Sequence, residues 1–346
     1  MTLSRRDWLA AVALGVPALA RAADPPRSKL GVVLYSYGIR SRVERQKSFA
    51  DPIRFAEFCR ARGAAGVQLP IGARTAAAAK AIRSRLGELG MYLEGSIAPP
   101  KDEADADRFE AEVRTAKEAG ADVLRTVMLG GRRYEVFKTA DEYRAFKDRA
   151  WKSLQLAAPV VARHKVRLAV ENHKDFRADE LAGLMRRLKS DFVGVTVDTG
   201  NNIALLDDPH VAVEALAPWA MSVHLKDMAV KESADGFLLS EVPLGEGFLD
   251  LKRIVGALRK ANPAVRFNLE MITRDPLRVP CLADGYWATF ADLPGRDLAR
   301  TLAAVRRHAP KGDLPRVAGL SEADQLATED ANVRRSFAYA REQLVL

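Results

Sequence analysis

No basic block of five or more residues occurs in this 346-residue chain, although its formal charge is +9. The cations stand in mixed helical runs such as Arg60-Ala61-Arg62 and Arg186-Arg187-Leu188-Lys189. That is the pattern of a solvated surface, and it leaves nucleic acid off the expected partners. A bilayer-spanning helix needs roughly 20 apolar residues; the apolar stretch Trp8–Ala20 stops short of that, so stable membrane insertion is not expected. Two cysteines, Cys59 and Cys281, allow at most one disulfide, and five histidines leave little room for a histidine-rich metal cluster. Low-complexity sequence is absent beyond the helical alanine run Ala76–Ala79. What remains, 48% hydrophobic and 29% charged, is a globular chain able to bury a sizeable core.

The first residues read as a leader. Ser4-Arg5-Arg6-Asp7-Trp8-Leu9 resembles the twin-arginine export motif, with tryptophan where phenylalanine is usual. The mildly apolar stretch follows, and both Ala18-Leu19-Ala20 and Ala20-Arg21-Ala22 fit a small-x-small cleavage site. Residues 1–22 are therefore expected to be a signal peptide handled by the twin-arginine machinery, with 23–28, including Asp24-Pro25-Pro26, a linker to a periplasmic protein. An ordinary amphipathic terminal helix is the alternative.

From Lys29 onward, short β-rich runs alternate with helical patterns. The runs are Leu30–Tyr37, Gly66–Leu69, Tyr92–Ile97, Val123–Leu129, Arg167–His173, Val193–Asp198, Ser222–Lys226 and Arg266–Ile272. Helical patterns include Ile53–Ala61, Ala76–Leu89, Ala106–Ala119, Asp141–Arg163 and Glu180–Leu188, three of the helices closing at Gly63, Gly90 and Gly120. Such alternation argues for an α/β fold with parallel strands, and eight repeats argue for a closed (β/α)₈ TIM barrel over residues 29–310. An open doubly wound sheet is the rival, but no Gly-x-Gly-x-x-Gly follows the first strand. Cys59 would then lie at the bottom and Cys281 at the top, beyond disulfide reach of ~7 Å, so two free thiols are expected.

Two insertions stand out. Lys231–Gly247, with Pro243-Leu244-Gly245-Glu246-Gly247, reads as a turn-rich loop before a helix near Asp250–Lys260. Thr273–Gly295, after the eighth strand, is rich in proline and aromatic residues and placed to form a lid over the mouth, the alternative being a surface loop packed on itself. Residues 311–346 form a C-terminal extension, with one more helix from Ser321 outside the barrel.

Polar residues gather at the ends of four consecutive strands: Glu171, Asp198, His224 and Glu270. A carboxylate in an apolar strand needs a partner, because burying it alone costs several kcal/mol or more. Four such residues at the carboxyl ends, where barrel enzymes keep their sites, call for a shared positive centre. Three carboxylates and an imidazole form a hard, mostly oxygen site for one divalent ion, suiting Mn²⁺ or Mg²⁺ better than Zn²⁺, with Co²⁺ also admissible. Export of the folded protein would let it acquire that ion before leaving the cytoplasm. Strand alternation sends His173 inward with Glu171, Lys226 with His224 and Asn268 with Glu270, as substrate contacts. A role for His173 in orienting a ligand is the alternative. Arg125 and Gln68 can also face the interior, Arg125 alternatively forming a salt bridge at the rim.

In order and spacing, Val170-Glu171-Asn172-His173, Val197-Asp198-Thr199-Gly200-Asn201, His224-Leu225-Lys226-Asp227, Gly245-Glu246-Gly247 and Leu269-Glu270 resemble the xylose isomerase-like barrels, the sugar phosphate isomerases and epimerases. The resemblance spans roughly Leu30 to Ala309, and it implies Glu171, Asp198, His224 and Glu270 as the metal ligands. Ketose epimerases of the family often carry histidine where this chain has Asn201, arginine shortly after the histidine ligand where it has Lys226 and then Val230, and glutamate where Gln68 stands. The substrate shell therefore differs from that of a simple ketose epimerase.

The resemblance implies proton transfer at a carbon beside a carbonyl, through an enediolate, with Glu171 and Glu270 as the acid–base pair. Returning the proton gives an isomerase or epimerase; expelling a β-substituent gives a lyase or dehydratase. An exported enzyme is expected to meet non-phosphorylated sugars, keto-sugars or keto-glycosides. Endonuclease IV shares this barrel, but its metal cluster uses many histidines, and His164, His210 and His308 fall in helices or a Pro-flanked turn. A non-catalytic sugar-binding barrel is the reading from another class.

Overall fold

The computed structural model describes residues 27–44, 49 and 51–346; the leader and all but the end of the linker lie outside them. Eight parallel strands close a barrel in the order β1-β10-β7-β6-β5-β4-β3-β2. They are β1 (Gly31–Val33), β2 (Gly66–Pro70), β3 (Tyr92–Ser96), β4 (Val123–Thr126), β5 (Arg167–Glu171), β6 (Val193–Asp198), β7 (Ala220–Leu225) and β10 (Arg266–Leu269). Each falls within or against a run expected as strand. The first run is shorter than expected, because Leu34–Tyr37 turns into a 3₁₀ helix.

Helices wrap the barrel: α1 (Gly38–Val43), α2 (Pro52–Arg60), α3 (Ala76–Leu89), α4 (Ala106–Glu118), α5 (Arg133–Val136), α6 (Ala140–His164), α7 (Ala178–Leu188), α8 (Pro209–Leu216), α9 (Leu251–Ala261) and α10 (Gly295–His308). Their starts are written in side chains. Asp51 accepts from Ile53 N and Thr75 from Ala78 N, while Thr139 and Glu142 close a reciprocal capping box. Gly90 ends α3 at φ +63°, a left-handed cap. Cys59 and Cys281 are both free and buried. Among the described residues, no helix is long and apolar enough to cross a membrane.

The insertion expected as a turn-rich loop is instead a β-hairpin. Strands β8 (Asp227–Ser233) and β9 (Gly236–Val242) pair antiparallel, and β11 (Leu277–Val279), from the segment after the eighth barrel strand, pairs with β9. The physical reason is an alternation that the turn signals obscured. Met228 and Val230 are buried whereas Ala229 and Lys231 are partly exposed, a two-residue period. Gly236 permits close approach to β11, since a Cβ there would stand 2.2 Å from the Val279 carbonyl oxygen.

The turn signals in Gly245-Glu246-Gly247 have their own cause. The Asp227 carboxylate accepts backbone N–H groups from Gly245, Gly247 and Leu249. Gly245 sits at φ +86°, and a Cβ on Gly247 would lie 2.0 Å from Asp227 Oδ1. The two motifs are one structural unit, a loop wound around a buried carboxylate at the start of β8.

The Thr273–Gly295 segment packs both on itself and on the neighbouring loops. Tyr286 stacks on Phe290 at 4.8 Å and its hydroxyl donates to the Ala204 carbonyl, while Arg133 donates to both Oγ1 and O of Thr289. The C-terminal extension carries α11 (Glu322–Tyr339), which straps the loops at the carboxyl ends of the strands. Glu329 accepts the backbone N–H groups of Ile39 and Arg40, Ser336 Oγ accepts Leu244 N, and Asn332 donates to Thr273. Val333 and Phe337 bury its apolar face.

Candidate metal centre

Short polar staples align the strand ends before any ligand is considered. Asn172, directly after β5, accepts from Asp198 N and donates to Asp198 O. Thr199 Oγ1, directly after β6, accepts Lys226 N and donates to Lys226 O. Ser36 Oγ donates to Leu269 O and accepts Met271 N, tying the loop after β1 to both sides of Glu270.

These staples bring Glu171, Asp198, His224 and Glu270 together, all buried, with one ligand-type atom from each within 4.8 Å of every other. His224 Nδ1 has no hydrogen-bond partner. It stands 3.4 Å from Glu171 Oε2, 3.5 Å from Glu270 Oε2 and 3.9 Å from Asp198 Oδ2. Its other nitrogen, Nε2, lies 2.7 Å from Gln68 Oε1. An amide oxygen can only accept, so Nε2 carries a proton and Nδ1 is the atom left to face the carboxylates. Asp198 is similarly divided: Oδ1 accepts Gly200 N and Asn201 N, both at 2.9 Å, leaving Oδ2 facing the centre.

A ring nitrogen set among carboxylate oxygens calls for positive charge between them, either a proton on Nδ1 or a metal ion in its place. The four side chains can therefore hold one divalent ion with a hard, oxygen-rich donor set. The electrostatics agree. Burial alone would lower the His224 pKa, but Glu270 and Glu171 raise it to about 10. Burial raises the Asp198 carboxyl to about 6 against the pull of Lys226. Burial is outweighed at Glu171 by Arg125 and His224, and at Glu270 by Lys226 and His224, so both stay ionised.

Arg125, Asn201 and Lys226 gather around the ligands. Arg125 pairs with Glu171, while Asn201 Nδ2 donates to Glu171 Oε1 at 3.1 Å. Lys226 Nζ lies 2.6 Å from Glu270 Oε2 and 3.0 Å from Asp198 Oδ2. His173 Nδ1 donates to the Leu129 carbonyl at 3.0 Å. Burial holds its pKa down near 4.

Gln68 and Asn268 need correcting as substrate contacts. Asn268 is inward-facing like Glu270, but two residues along a strand is a step of ~6.6 Å down the barrel. Its amide donates to Glu94 and Ser222 and accepts from Tyr92, and it is fully buried. Gln68 lies in the same polar tier, donating to Glu94 Oε2 at 2.9 Å while accepting from His224. Both residues support the centre from beneath.

Four residues escaped the sequence reading. Glu94 anchors the lower tier, and burial raises its pKa. An acidic residue inside the apolar run Tyr92–Ile97 was the available signal. Lys174 follows the Glu171-Asn172-His173 motif and donates to Asn201 Oδ1. Glu241 and Arg274 form a two-pronged ion pair from the hairpin and the segment after β10, with Lys226 3.9 Å from Glu241.

The fold and centre define a parallel (β/α)₈ barrel with a buried acidic and imidazole cluster at the carboxyl ends of its strands. The chain belongs to the xylose isomerase-like TIM barrel family, which it matches over residues 56–304. One curated relative, the 3-oxo-isoapionate decarboxylase of Pectobacterium atrosepticum, is 27% identical over 115 residues. That match spans 33% of this chain and 42% of the relative, less than half its length. Among solved structures, D-psicose 3-epimerase with D-fructose superposes with a TM-score of 0.58 at 16% identity, covering 90% of this chain and 97% of that one. A xylose isomerase-like barrel from Mycobacterium smegmatis in complex with magnesium gives 0.56 at 15% identity, covering 80% and 99%. The structural likenesses establish the fold.

Proposed function

We propose that the chain is an exported, divalent-metal-dependent isomerase or epimerase of a non-phosphorylated sugar or keto-sugar. The observation that carries this reading is the free His224 Nδ1 facing three carboxylates at the catalytic end of the barrel. Glu171, Asp198, His224 and Glu270 would hold the ion, Mn²⁺ by preference for so oxygen-rich a set. Bound there, it would act as a Lewis acid toward a substrate carbonyl and its neighbouring hydroxyl.

The chain's own residues supply the proton transfers. Glu270, kept ionised by Lys226, takes the proton from the carbon beside the carbonyl, and the electron pair moves into an enediolate. Glu171, kept ionised by Arg125 and Asn201, is the second carboxylate, carrying the proton to its new position. Arg125, Asn201, Lys226 and His173 are the substrate-binding side chains in this reading.

A second reading is elimination from the same enediolate, a lyase reaction; the relative named 3-oxo-isoapionate decarboxylase is likewise named for a bond-breaking reaction rather than an isomerisation. NMR in D₂O, following metal-loaded protein with ketoses, keto-glycosides and inososes, tests both. Deuterium incorporation with an isomerised product is expected; exchange accompanied by a released fragment identifies elimination. No exchange across the panel contradicts both.

Export is proposed from Arg5-Arg6 and the short apolar stretch behind them. Changing both to lysine should leave the protein, leader attached, in the cytoplasm. Normal arrival in the periplasm, seen by fractionation and blotting, contradicts the twin-arginine route.

A further inference from the structure

Each of the other cations around the mouth stands in ion-pair contact with a carboxylate. Arg125 pairs with Glu171, Lys226 with Asp198 and Glu270, and Arg274 with Glu241. Lys174 differs. It is only 4% exposed, yet among the described residues it makes no ion pair. Its Nζ donates to the neutral Asn201 Oδ1, an oxygen shared with Lys226 Nζ at 3.3 Å. A buried ammonium bonded to an amide, beside a second ammonium, has no carboxylate in contact with it and feels Glu241 and Asp198 only at longer range, which is less than burial of a charge requires.

The backbone aims this side chain into the cluster. Lys174 adopts φ +65°, a left-handed conformation that a residue with a Cβ rarely takes. Its carbonyl accepts from Arg133 N, and the Asp175 side chain just beyond it accepts from His173 N and Phe176 N. Strain held in place at a site edge by surrounding bonds points to a task for the side chain.

We infer that Lys174 binds a carboxylate at one end of the substrate, so that the chain acts on sugar acids rather than neutral sugars. This rests on the carbohydrate reading above and narrows it. One unpaired ammonium matches a monoanion. A phosphate dianion would call for further unpaired cations or a nest of backbone N–H groups. Asn201 fits the same arrangement, since its Nδ2 is held by Glu171 and its oxygen gathers the two lysines. Where a ketose epimerase often has histidine, this chain has a residue that assembles positive charge.

The test is calorimetric titration of Mn²⁺-loaded mature protein with D-gluconate and with D-glucitol, which differ at one end by carboxylate against hydroxymethyl. Wild type should bind gluconate on the order of tenfold to a hundredfold more tightly, the worth of a charge-assisted hydrogen bond. Lys174→Met should lose that preference while its glucitol affinity stays unchanged, and Lys174→Arg should keep part of it. Lys174→Gln, which retains a polar side chain, replaces the methionine variant if that fails to fold. Equal affinities in wild type overturn the inference. So does a full preference surviving in the variant, which would belong to chelation by the metal. Binding of neither compound removes the carbohydrate reading together with this one. A Lys174-dependent preference without turnover of any sugar or sugar acid leaves the carboxylate site standing and removes the isomerase reading.

Discussion

Glu270→Gln should reduce turnover by roughly 10²–10⁴-fold while leaving substrate affinity within a few-fold of wild type. Glutamine keeps the shape and one oxygen toward the ligand cluster, but it does not accept a proton at neutral pH. The loss belongs in kcat, because the base acts in the transition state and not in the bound ground state. Lys226 Nζ, 2.6 Å from Glu270 Oε2, loses a charged partner in this variant, so the comparison is made on protein shown to carry its ion. Glu171→Gln should behave alike if the proton is returned to carbon. If elimination is the reaction, the carboxylate acting as acid is partly bypassed with good leaving groups, and the two variants separate. Wild-type rates of carbon-proton exchange with D₂O in both metal-loaded variants would remove the glutamates from the mechanism and move the search to His173 and Lys226.

Gln68→Leu should weaken metal affinity by about 10–100-fold, with activity recovered at high metal concentration. The wild-type amide accepts the His224 Nε2 proton and passes the constraint through its own N–H to Glu94. Leucine fills the space but leaves a fully buried N–H unpaired, at a cost of about 1–3 kcal/mol. It also frees the imidazole to take the other tautomer, in which Nδ1 carries the proton and no longer presents its lone pair. Gln68→Glu offers an acceptor of the same reach, but it places a second carboxylate against Glu94, 2.9 Å away in the wild type. It should therefore recover less than the native amide. Metal titration monitored by protein fluorescence gives the affinities; an unchanged constant for Gln68→Leu would make this residue a bystander.

The four clustered side chains were legible because the sequence places ionisable residues where apolar strands end. An acid or imidazole there breaks a run that burial otherwise demands, as Glu171 does after Leu168-Ala169-Val170. The barrel itself was legible for a related reason: eight β-rich runs are separated by patterned helices with written caps, such as Thr75 before α3 and Gly90 after it. Depth was not legible. Alternation gives the face on which Asn268 lies but not its tier, so it does not separate a residue bonded to Glu94 and Ser222 from one that meets substrate.

The hairpin β8–β9 was hidden by a different effect. Only Lys226 separates β7 from β8, so no turn signal marks the start of a new strand after the run that ends at Lys226. Lys174 was hidden because nothing local distinguishes a lysine after a strand from a solvated one. Only the fold brings Asn201 and Lys226 against it.

The central claim is that Glu171, Asp198, His224 and Glu270 hold one divalent ion, and elemental analysis of purified protein tests it most directly. The account predicts about one equivalent of a divalent metal per wild-type chain after exhaustive dialysis, and loss of most of it in His224→Ala with the fold retained by circular dichroism. Undiminished metal in that variant would contradict the account.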